Sequence, residues 1–312
     1  MLHRRKALLY LLQQAPSPIT RSKAQLLMFL AMHESITGDY QFIPTEGGPL
    51  SLVLEDDTIA MLKKGLVAET HTADQSIQLL RVNTDQYDEA MLPKDEERQL
   101  LDTVLGKYQA NEEEELLKLS ITSKPFYGIR LPNEKILLLD KKTQSEIATI
   151  QKTLKESERA LYTIGYEKIS LDEFILHLLL QGIQTVIDVR ETTTSRRREF
   201  SRNPPQLALK TARIEYISMP EVGIPSEIRN KILAKGDHHD LLVWYREHVM
   251  HASTSYAEEV ATLVSRENTA LMCYEKDPKE CHRSLFAQAC IESHPEIPTI
   301  IHLRDGDEPP LP

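Results

Sequence analysis

The sequence predicts an α/β fold, in which a small parallel sheet with flanking helices fills the C-terminal half and a mostly helical, winged-helix-like domain precedes it. Two observations lead to this prediction. After residue 160, short apolar runs alternate with amphipathic stretches, which is the pattern of βαβ units. Before residue 120, apolar residues recur at helical spacing and short extended pieces separate the helical stretches.

Composition limits the classes of protein to consider. The 312 residues suffice for two domains, and 41% hydrophobic with 27% charged residues is ordinary for a globular protein. The net charge of −10 requires any anion site to be local. The three cysteines are too few, and odd in number, for a secreted disulfide framework, so we expect a cytoplasmic protein. No apolar run approaches the roughly 18 residues of a membrane span, and we expect no membrane partner and no cofactor.

Residues 1–120 form the first predicted domain. Apolar spacing and capping residues predict helices over about residues 8–12, 20–30 and 51–64, the last ended by Gly65. Extended pieces are predicted at residues 40–44, before the turn at 47–49, and at residues 77–80. Three helices and a small β-wing are the outline of a winged-helix module. Residues 19–30, 40–44, 48–51 and 62–67 also resemble the SocA-like antitoxin domain, called Panacea, over about residues 5–80.

A linker is predicted over residues 121–157, with one strand at the apolar residues 136–139 and one charged helix after it. The second domain is predicted over residues 158–312. In it, a strand near Tyr162, a helix over residues 171–180 and an apolar strand over residues 185–190 make a βαβ unit. Residues 214–217 and 269–273 supply further strands. In open parallel sheets ligands bind at the carboxyl ends of the strands, so the residues that follow each strand are the candidates for function.

Polar side chains follow all four predicted strands. We predict Asp188, Glu275 and Cys281 as catalytic residues. The predicted anion- or substrate-binding residues are Tyr166, Arg190, Ser195, Arg196, Arg197, Glu221, Cys273, His282 and Arg283. Seven Lys or Arg against two Glu between residues 190 and 213 make a local basic patch, and arginine presents a planar fork that matches phosphate or carboxylate. The alternative is a solvated charged face.

Cys281 opens a predicted helix beside His282 and Arg283. Free N–H groups and the dipole at a helix start favour a thiolate, so we expect Cys281 to be the most reactive of the three thiols and Cys290 to lie in the core. The alternative is that Cys273 and Cys281 are buried and inert. No Cys-x-x-Cys pair occurs and no regular four-ligand spacing is present, so the sequence predicts no metal site.

A set of motifs in the C-terminal half resembles the bacterial domain-of-unknown-function family 488 over about residues 160–292. The motifs are residues 163–166, 171–174, 186–190, 195–197, 200–201, 214–216, 220–223, 273–278 and 281–284. The resemblance implies a Rossmann-like α/β domain and a site, but no substrate.

The sequence favours a nucleic-acid-associated or nucleotide-processing protein with a cationic, cysteine-containing site. If the protein is an enzyme, we expect a nucleotide, nucleic acid or other phosphorylated substrate. One alternative is a sensor of a phosphorylated small molecule. Another is a non-catalytic, antitoxin-like interaction module with a protein partner for the N-terminal domain. Arg21 and Lys23 stand nearly alone there, which does not indicate a basic recognition helix.

Overall fold

The chain divides into two compact units, residues 1–149 and 150–312. A computed structural model describes residues 2–34, 40–71, 78–82, 91–156, 159–195, 197–201, 203–250 and 254–304. The predicted site residue Arg196 and the predicted strand residue Ile77 lie outside these ranges. Among the described residues, no helix is both long enough and apolar enough to cross a membrane.

The first unit combines helices with two β-hairpins. Its elements are α1 (His3–Gln14), α2 (Arg21–Glu34), β1 (Ile43–Thr45), β2 (Gly48–Leu50), α3 (Leu52–Lys63), β3 (Val67–His71), β4 (Gln78–Val82), α4 (Asp95–Tyr108), α5 (Glu113–Ser123), α6 (Asn133–Ile136) and α7 (Lys141–Lys155), which extends past residue 149. Strands β1 and β2 pair antiparallel, as do β3 and β4. The Ser51 side chain caps α3, and Gly65 follows it with φ +69°. The winged-helix assignment itself stays a prediction.

A buried carboxylate on α3 binds two arginines of α1. Asp57 on α3 is 1% exposed and accepts hydrogen bonds from Nε of Arg4 and of Arg5 on α1, both at 2.6 Å. The Tyr40 hydroxyl donates to the same carboxylate at 3.2 Å. Because the charge is paired twice, its burial is compensated.

The prediction of a strand at residues 136–139 is wrong. Pro132 precedes the short helix α6, and a turn follows it, so none of the described residues 121–156 is in a strand. Leu137 is 68% exposed and Leu138 59% exposed. The apolar run has no neighbouring strand to pair with, and a run of this length cannot by itself distinguish a strand from a helical turn.

The second unit is a five-stranded sheet with helices between its strands. Its elements are β5 (Leu161–Gly165), α8 (Leu171–Leu180), β6 (Thr185–Asp188), α9 (Asn203–Thr211), β7 (Glu215–Ser218), α10 (Ser226–Leu233), α11 (His238–His248), α12 (Thr254–Arg266), β8 (Thr269–Cys273), α13 (His282–Ser293) and β9 (Ile300–Leu303). The strand order is β7-β6-β8-β5-β9, and every pair is parallel. The predicted α/β fold of this half, a parallel sheet flanked by helices, is confirmed.

The central strands are apolar because both faces of the sheet are covered. All residues of β5, β6 and β8 are buried. Ser170 caps α8 in a capping box with Glu173, which fixes where that helix begins. Because β6, β8 and β5 are parallel neighbours, the loops that follow them leave the same edge of the sheet, here called the carboxyl edge.

Candidate functional site

Two separate groups of polar side chains occupy the carboxyl edge. The first, the aspartate network, consists of Asp188, Arg190, Tyr166 and Tyr216. Asp188 is fully buried at the end of β6 and accepts from Arg190 Nε at 2.8 Å and Nη2 at 2.6 Å. The Tyr216 hydroxyl donates to Asp188 Oδ2 at 2.7 Å. The backbone N–H of Arg190 also donates to Asp188 Oδ1, at 3.1 Å. Asp188 is therefore held by four donors and is not free to act as a base.

All three guanidinium nitrogens of Arg190 donate hydrogen bonds inside this network. Its Nη1 donates to the Tyr166 hydroxyl at 2.6 Å and to the Phe200 carbonyl at 3.1 Å. The Tyr166 ring stacks on Phe200, with 4.1 Å between centroids, and its hydroxyl lies 3.3 Å from Ser195 Oγ. Burial raises the pKa of Tyr166. The structure therefore places the predicted anion ligands Arg190 and Tyr166 against each other, with Arg190 only 6% exposed.

The other residues of the predicted basic patch divide between paired and exposed positions. Arg197 donates through Nη1 to the Tyr166 carbonyl at 2.8 Å and forms an ion pair with Glu199 at 2.7 Å. Arg198 and Lys210 are exposed. The predicted Glu221 is also exposed, on the turn Pro220–Val222 that follows β7.

The second group, the thiol cluster, consists of Cys273, Cys281, His282 and Glu275. Cys273 ends β8, and the turn Pro278–Glu280 brings the chain back so that Cys281 is the N-cap of α13. The ligating atoms of Cys273, Cys281 and His282 all lie within 4.8 Å of one another. Glu275 Oε2 is 3.4 Å from Cys273 Sγ. All four residues are buried, with at most 6% exposure.

The orientation of His282 is fixed by a backbone carbonyl. Its Nε2 lies 2.9 Å from the oxygen of Val189. Because a carbonyl only accepts, Nε2 carries the proton and donates. Nδ1 then faces Cys273 Sγ at 3.9 Å. The Tyr245 ring packs against the imidazole, with 5.1 Å between centroids.

The directions of the thiol pKa shifts run opposite to those expected for a reactive Cys281. The hydrogen bond from Cys281, together with the charges of His282 and Arg229, holds the pKa of Cys273 well below its usual value. Burial, and then the neighbouring Cys273, raises the pKa of Cys281 well above its usual value. Burial lowers the pKa of His282, but the charge and hydrogen bond of Cys273 outweigh it, and the net shift is upward. The helix start does not dominate, because both sulfurs are withdrawn from water.

Cys290 lies in the core, as predicted. It is fully buried in the apolar cluster between the sheet and α11–α13. Burial raises its pKa to about 12.

Arg283 and Arg229 support the loop that carries Glu275. Arg283 is fully buried and donates from Nη1 to the Glu275 carbonyl at 2.5 Å and from Nη2 to the Lys276 carbonyl at 3.2 Å. Arg229 Nη1 donates to Glu275 Oε1 at 2.9 Å. The predicted anion ligand Arg283 thus holds the loop backbone, while Arg229, on α10, holds the carboxylate.

Gly165 allows the Glu275 loop to approach β5. A Cβ at this position would lie 1.9 Å from the Glu275 carbonyl oxygen, so only glycine leaves room for the loop. The glycine that ends the predicted first strand is therefore part of the packing of the site.

Sequence reasoning missed three participants, Tyr216, Arg229 and the carbonyl of Val189. Tyr216 lies on a predicted strand, but its contact with Asp188 depends on which strand neighbours β6. Arg229 lies on a short helix, and an argument from strand ends does not consider helix residues.

The spacing argument also predicted no metal site, although two sulfur donors and one nitrogen donor converge in the folded chain. Donors from a strand end and a helix start need no Cys-x-x-Cys pair.

The family comparison agrees with the motifs of the C-terminal half. No curated protein and no solved structure matches the chain. The resemblance of the N-terminal region to the SocA-like antitoxin domain stays a prediction. Residues 170–290, which contain the thiol cluster and most of the aspartate network, match the model of the family described as domain of unknown function DUF488.

Proposed function

We propose that the C-terminal unit binds a nucleotide or a nucleic-acid strand at the carboxyl edge of its sheet. The observation that carries this proposal is Tyr274, a large aromatic residue that is 39% exposed directly after β8. Its ring meets Tyr166 edge-on at 5.5 Å between centroids. An aromatic face held at a sheet edge is a stacking platform for a base, because every base has a π-face.

The three loops that leave this edge of the sheet each carry a cation. Lys168 follows β5, Arg198 follows β6, and Lys276 follows β8; the first two are exposed and the third half-buried. The loops are joined to each other, because Glu167 N donates to the Tyr274 carbonyl at 2.9 Å and Lys276 N donates to Glu167 Oε2 at 3.1 Å. Lysine and arginine at the edge of a stacking platform suit the phosphates of a bound strand.

The proposal moves the binding residues from the strand ends to the loops. Asp188 and Arg190 are buried and paired with each other, and Arg283 is buried and bonded to backbone carbonyls. The exposed charges of the loops are therefore the ones available to an anion in water. Tyr274 stands in the chain between Cys273 and Glu275, two residues of the thiol cluster.

For the N-terminal unit we propose a winged-helix module that recognises a protein. Arg21, at the start of α2, forms ion pairs with Glu55 and with Glu69. A cation neutralised by two carboxylates is a poor phosphate ligand. This pairing favours the antitoxin-like alternative over DNA recognition for this unit.

Titration of the full chain with fluorescently labelled single-stranded oligonucleotide, duplex and mononucleotide tests the C-terminal proposal. Stacking contributes about 1–3 kcal/mol per base, so Tyr274→Ala should weaken binding by about 5- to 150-fold. Tyr274→Phe keeps the ring and should bind as the wild type does. Arg198→Ala should reduce the salt slope by about 1.

The three probes separate the sources of the ligand. Competition by mononucleotide alone indicates a nucleotide site, whereas a preference that grows with strand length indicates a nucleic acid. No salt-dependent binding of any probe, or equal binding by Tyr274→Ala and wild type, would contradict the proposal. Duplex binding that survives Tyr274→Ala would contradict protein recognition by the N-terminal unit.

A further inference from the structure

We propose that Cys273, Cys281, His282 and Glu275 hold a zinc ion in a closed tetrahedral site. Two sulfurs, one imidazole nitrogen and one carboxylate oxygen are donors that zinc accepts in structural sites. They come from three places in the fold: the end of β8, the loop after it and the first residues of α13.

Three of the four donors lie close enough together to share one ion. With Zn–S near 2.3 Å and Zn–N or Zn–O near 2.0–2.2 Å, donors on adjacent corners are about 3.3–3.8 Å apart. Cys273 Sγ lies 3.4 Å from Glu275 Oε2 and 3.9 Å from His282 Nδ1. Cys281 Sγ lies within 4.8 Å of both Cys273 Sγ and His282 Nδ1. Glu275 is not among the three residues whose ligating atoms all lie within 4.8 Å of one another. It becomes the fourth donor when its side chain rotates from Cys273 towards the other two residues.

An independent observation concerns the outer contacts of the donors. A metal-bound histidine gives its second ring N–H to a carbonyl or carboxylate, which fixes the ring and its tautomer. His282 does this through Nε2 and the Val189 carbonyl at 2.9 Å. Glu275 likewise has its second oxygen, Oε1, bound by Arg229 at 2.9 Å. In both residues the atom that faces away from the cluster is occupied, and the atom that faces inward is the donor.

The charges also balance. Two thiolates, one carboxylate and one Zn²⁺ leave one net negative charge, because −3 is added to +2. Arg229, which contacts Glu275, supplies the compensating positive charge. When the ion binds, the protons that the two sulfurs and His282 Nδ1 still carry leave for solvent. An ion at this position would therefore be neutralised where it is buried, which is the condition for burying charge.

The role follows from burial. Cys273, Cys281 and His282 are each at most 1% exposed. A site with four protein donors and no face open to water is closed, so the ion would hold the Glu275 loop and the start of α13 against β8. The surface residue Tyr274 lies on that loop, but the inference does not depend on its binding a nucleotide.

The test uses the full chain, made reduced and without chelator from cells supplied with zinc chloride. Elemental analysis should find one zinc per chain. The matched variants are Cys273→Ser, Cys281→Ser and Glu275→Gln, with Cys290→Ser as the control, because Cys290 is an equally buried thiol in the same unit outside the cluster. Loss of an outer contact costs about 10- to 100-fold in affinity, so loss of a sulfur donor should cost about 100-fold or more. Cys290→Ser should keep its zinc.

Cobalt substitution gives a readout that survives a variant that fails to fold. The wild-type chain refolded with cobalt chloride should show thiolate-to-cobalt charge transfer and the strong visible bands of a tetrahedral ion. Three results would overturn the proposal: a wild-type chain without zinc, a zinc content equal in wild type and in both cluster cysteine variants, or a Cys273–Cys281 disulfide in the chain as purified.

Discussion

The aspartate network and the thiol cluster lie on the same edge of one sheet, yet they differ in how their polar atoms are satisfied. In the network every charged atom already has a partner of opposite kind: the Asp188 carboxylate faces the Arg190 guanidinium and the Tyr216 hydroxyl. In the cluster the sulfur, nitrogen and oxygen atoms are all electron-pair donors, and they face one another.

This difference distinguishes a buried polar group whose charges are already paired within the protein from one whose donor atoms can bind a ligand. The paired Asp188 and Arg190 require no further partner, and we expect them to stabilise the fold. In the cluster, the donor atoms of three residues instead converge on one point, where a metal ion can accept their lone pairs. The same strand-end position therefore yields a structural ion pair after β6 and a ligand site after β8.

The largest expected effect comes from breaking the network. Asp188→Asn leaves the Arg190 charge buried without an anionic partner, which should lower the free energy of unfolding of the C-terminal unit by about 3–5 kcal/mol. Urea unfolding followed by the fluorescence of Trp244, the single tryptophan of the chain, reports this unit. The half-buried Arg197–Glu199 pair supplies the control, since Glu199→Gln should cost about 1 kcal/mol or less. Equal losses in the two variants would mean that the network does not stabilise the fold.

The next effect separates the two groups directly. Zinc at about a thousandfold over its Kd should add about 4 kcal/mol to the unfolding free energy, measured against chelator. We expect the same increment in wild type and in Asp188→Asn, and none in Cys281→Ser. An increment that vanishes in Asp188→Asn would show that the network and the cluster act as one group.

Gly165→Ala should disturb the cluster and leave the network intact. The new Cβ would meet the Glu275 carbonyl at 1.9 Å, so the loop must move, at a cost of about 2 kcal/mol. Zinc affinity should fall with it. Gly106→Ala is the matched control, because nothing lies within 4 Å of its Cβ, and it should leave zinc binding unchanged. Unchanged zinc affinity in Gly165→Ala would place Glu275 outside the metal site.

The smallest effect concerns the edge of the network. Tyr216→Phe removes one hydrogen bond to the Asp188 carboxylate and should cost about 1.5 kcal/mol, measured by the same urea unfolding. Zinc content should stay at the wild-type value. Loss of zinc in Tyr216→Phe would show that β7 reaches the cluster.

The sheet could be predicted because its central strands are continuous apolar runs, and residues 185–190 and 269–273 can be buried on both faces. The Asp188–Arg190 pair was also within reach. Residues two apart in an extended chain point to the same side, and this spacing predicts a contact rather than two independent ligands. The sequence motifs named the residues of both groups but treated them as one cationic site.

The remaining contacts depend on distances across the fold. The Val189 carbonyl orients His282 from 93 residues away in the chain, and Arg229 reaches Glu275 across 46 residues. Neither leaves a local pattern. The expected lowering of the Cys281 pKa was wrong for the same reason. A helix start favours a thiolate only where the sulfur contacts water, whereas Cys281 is buried against another sulfur.

X-ray absorption at the zinc edge of the full-length protein tests the central claim most directly, because it counts the atoms around the ion. The account predicts two sulfur atoms at about 2.3 Å and two nitrogen or oxygen atoms at about 2.0–2.2 Å. A first shell without sulfur, or one of six light atoms, would contradict it.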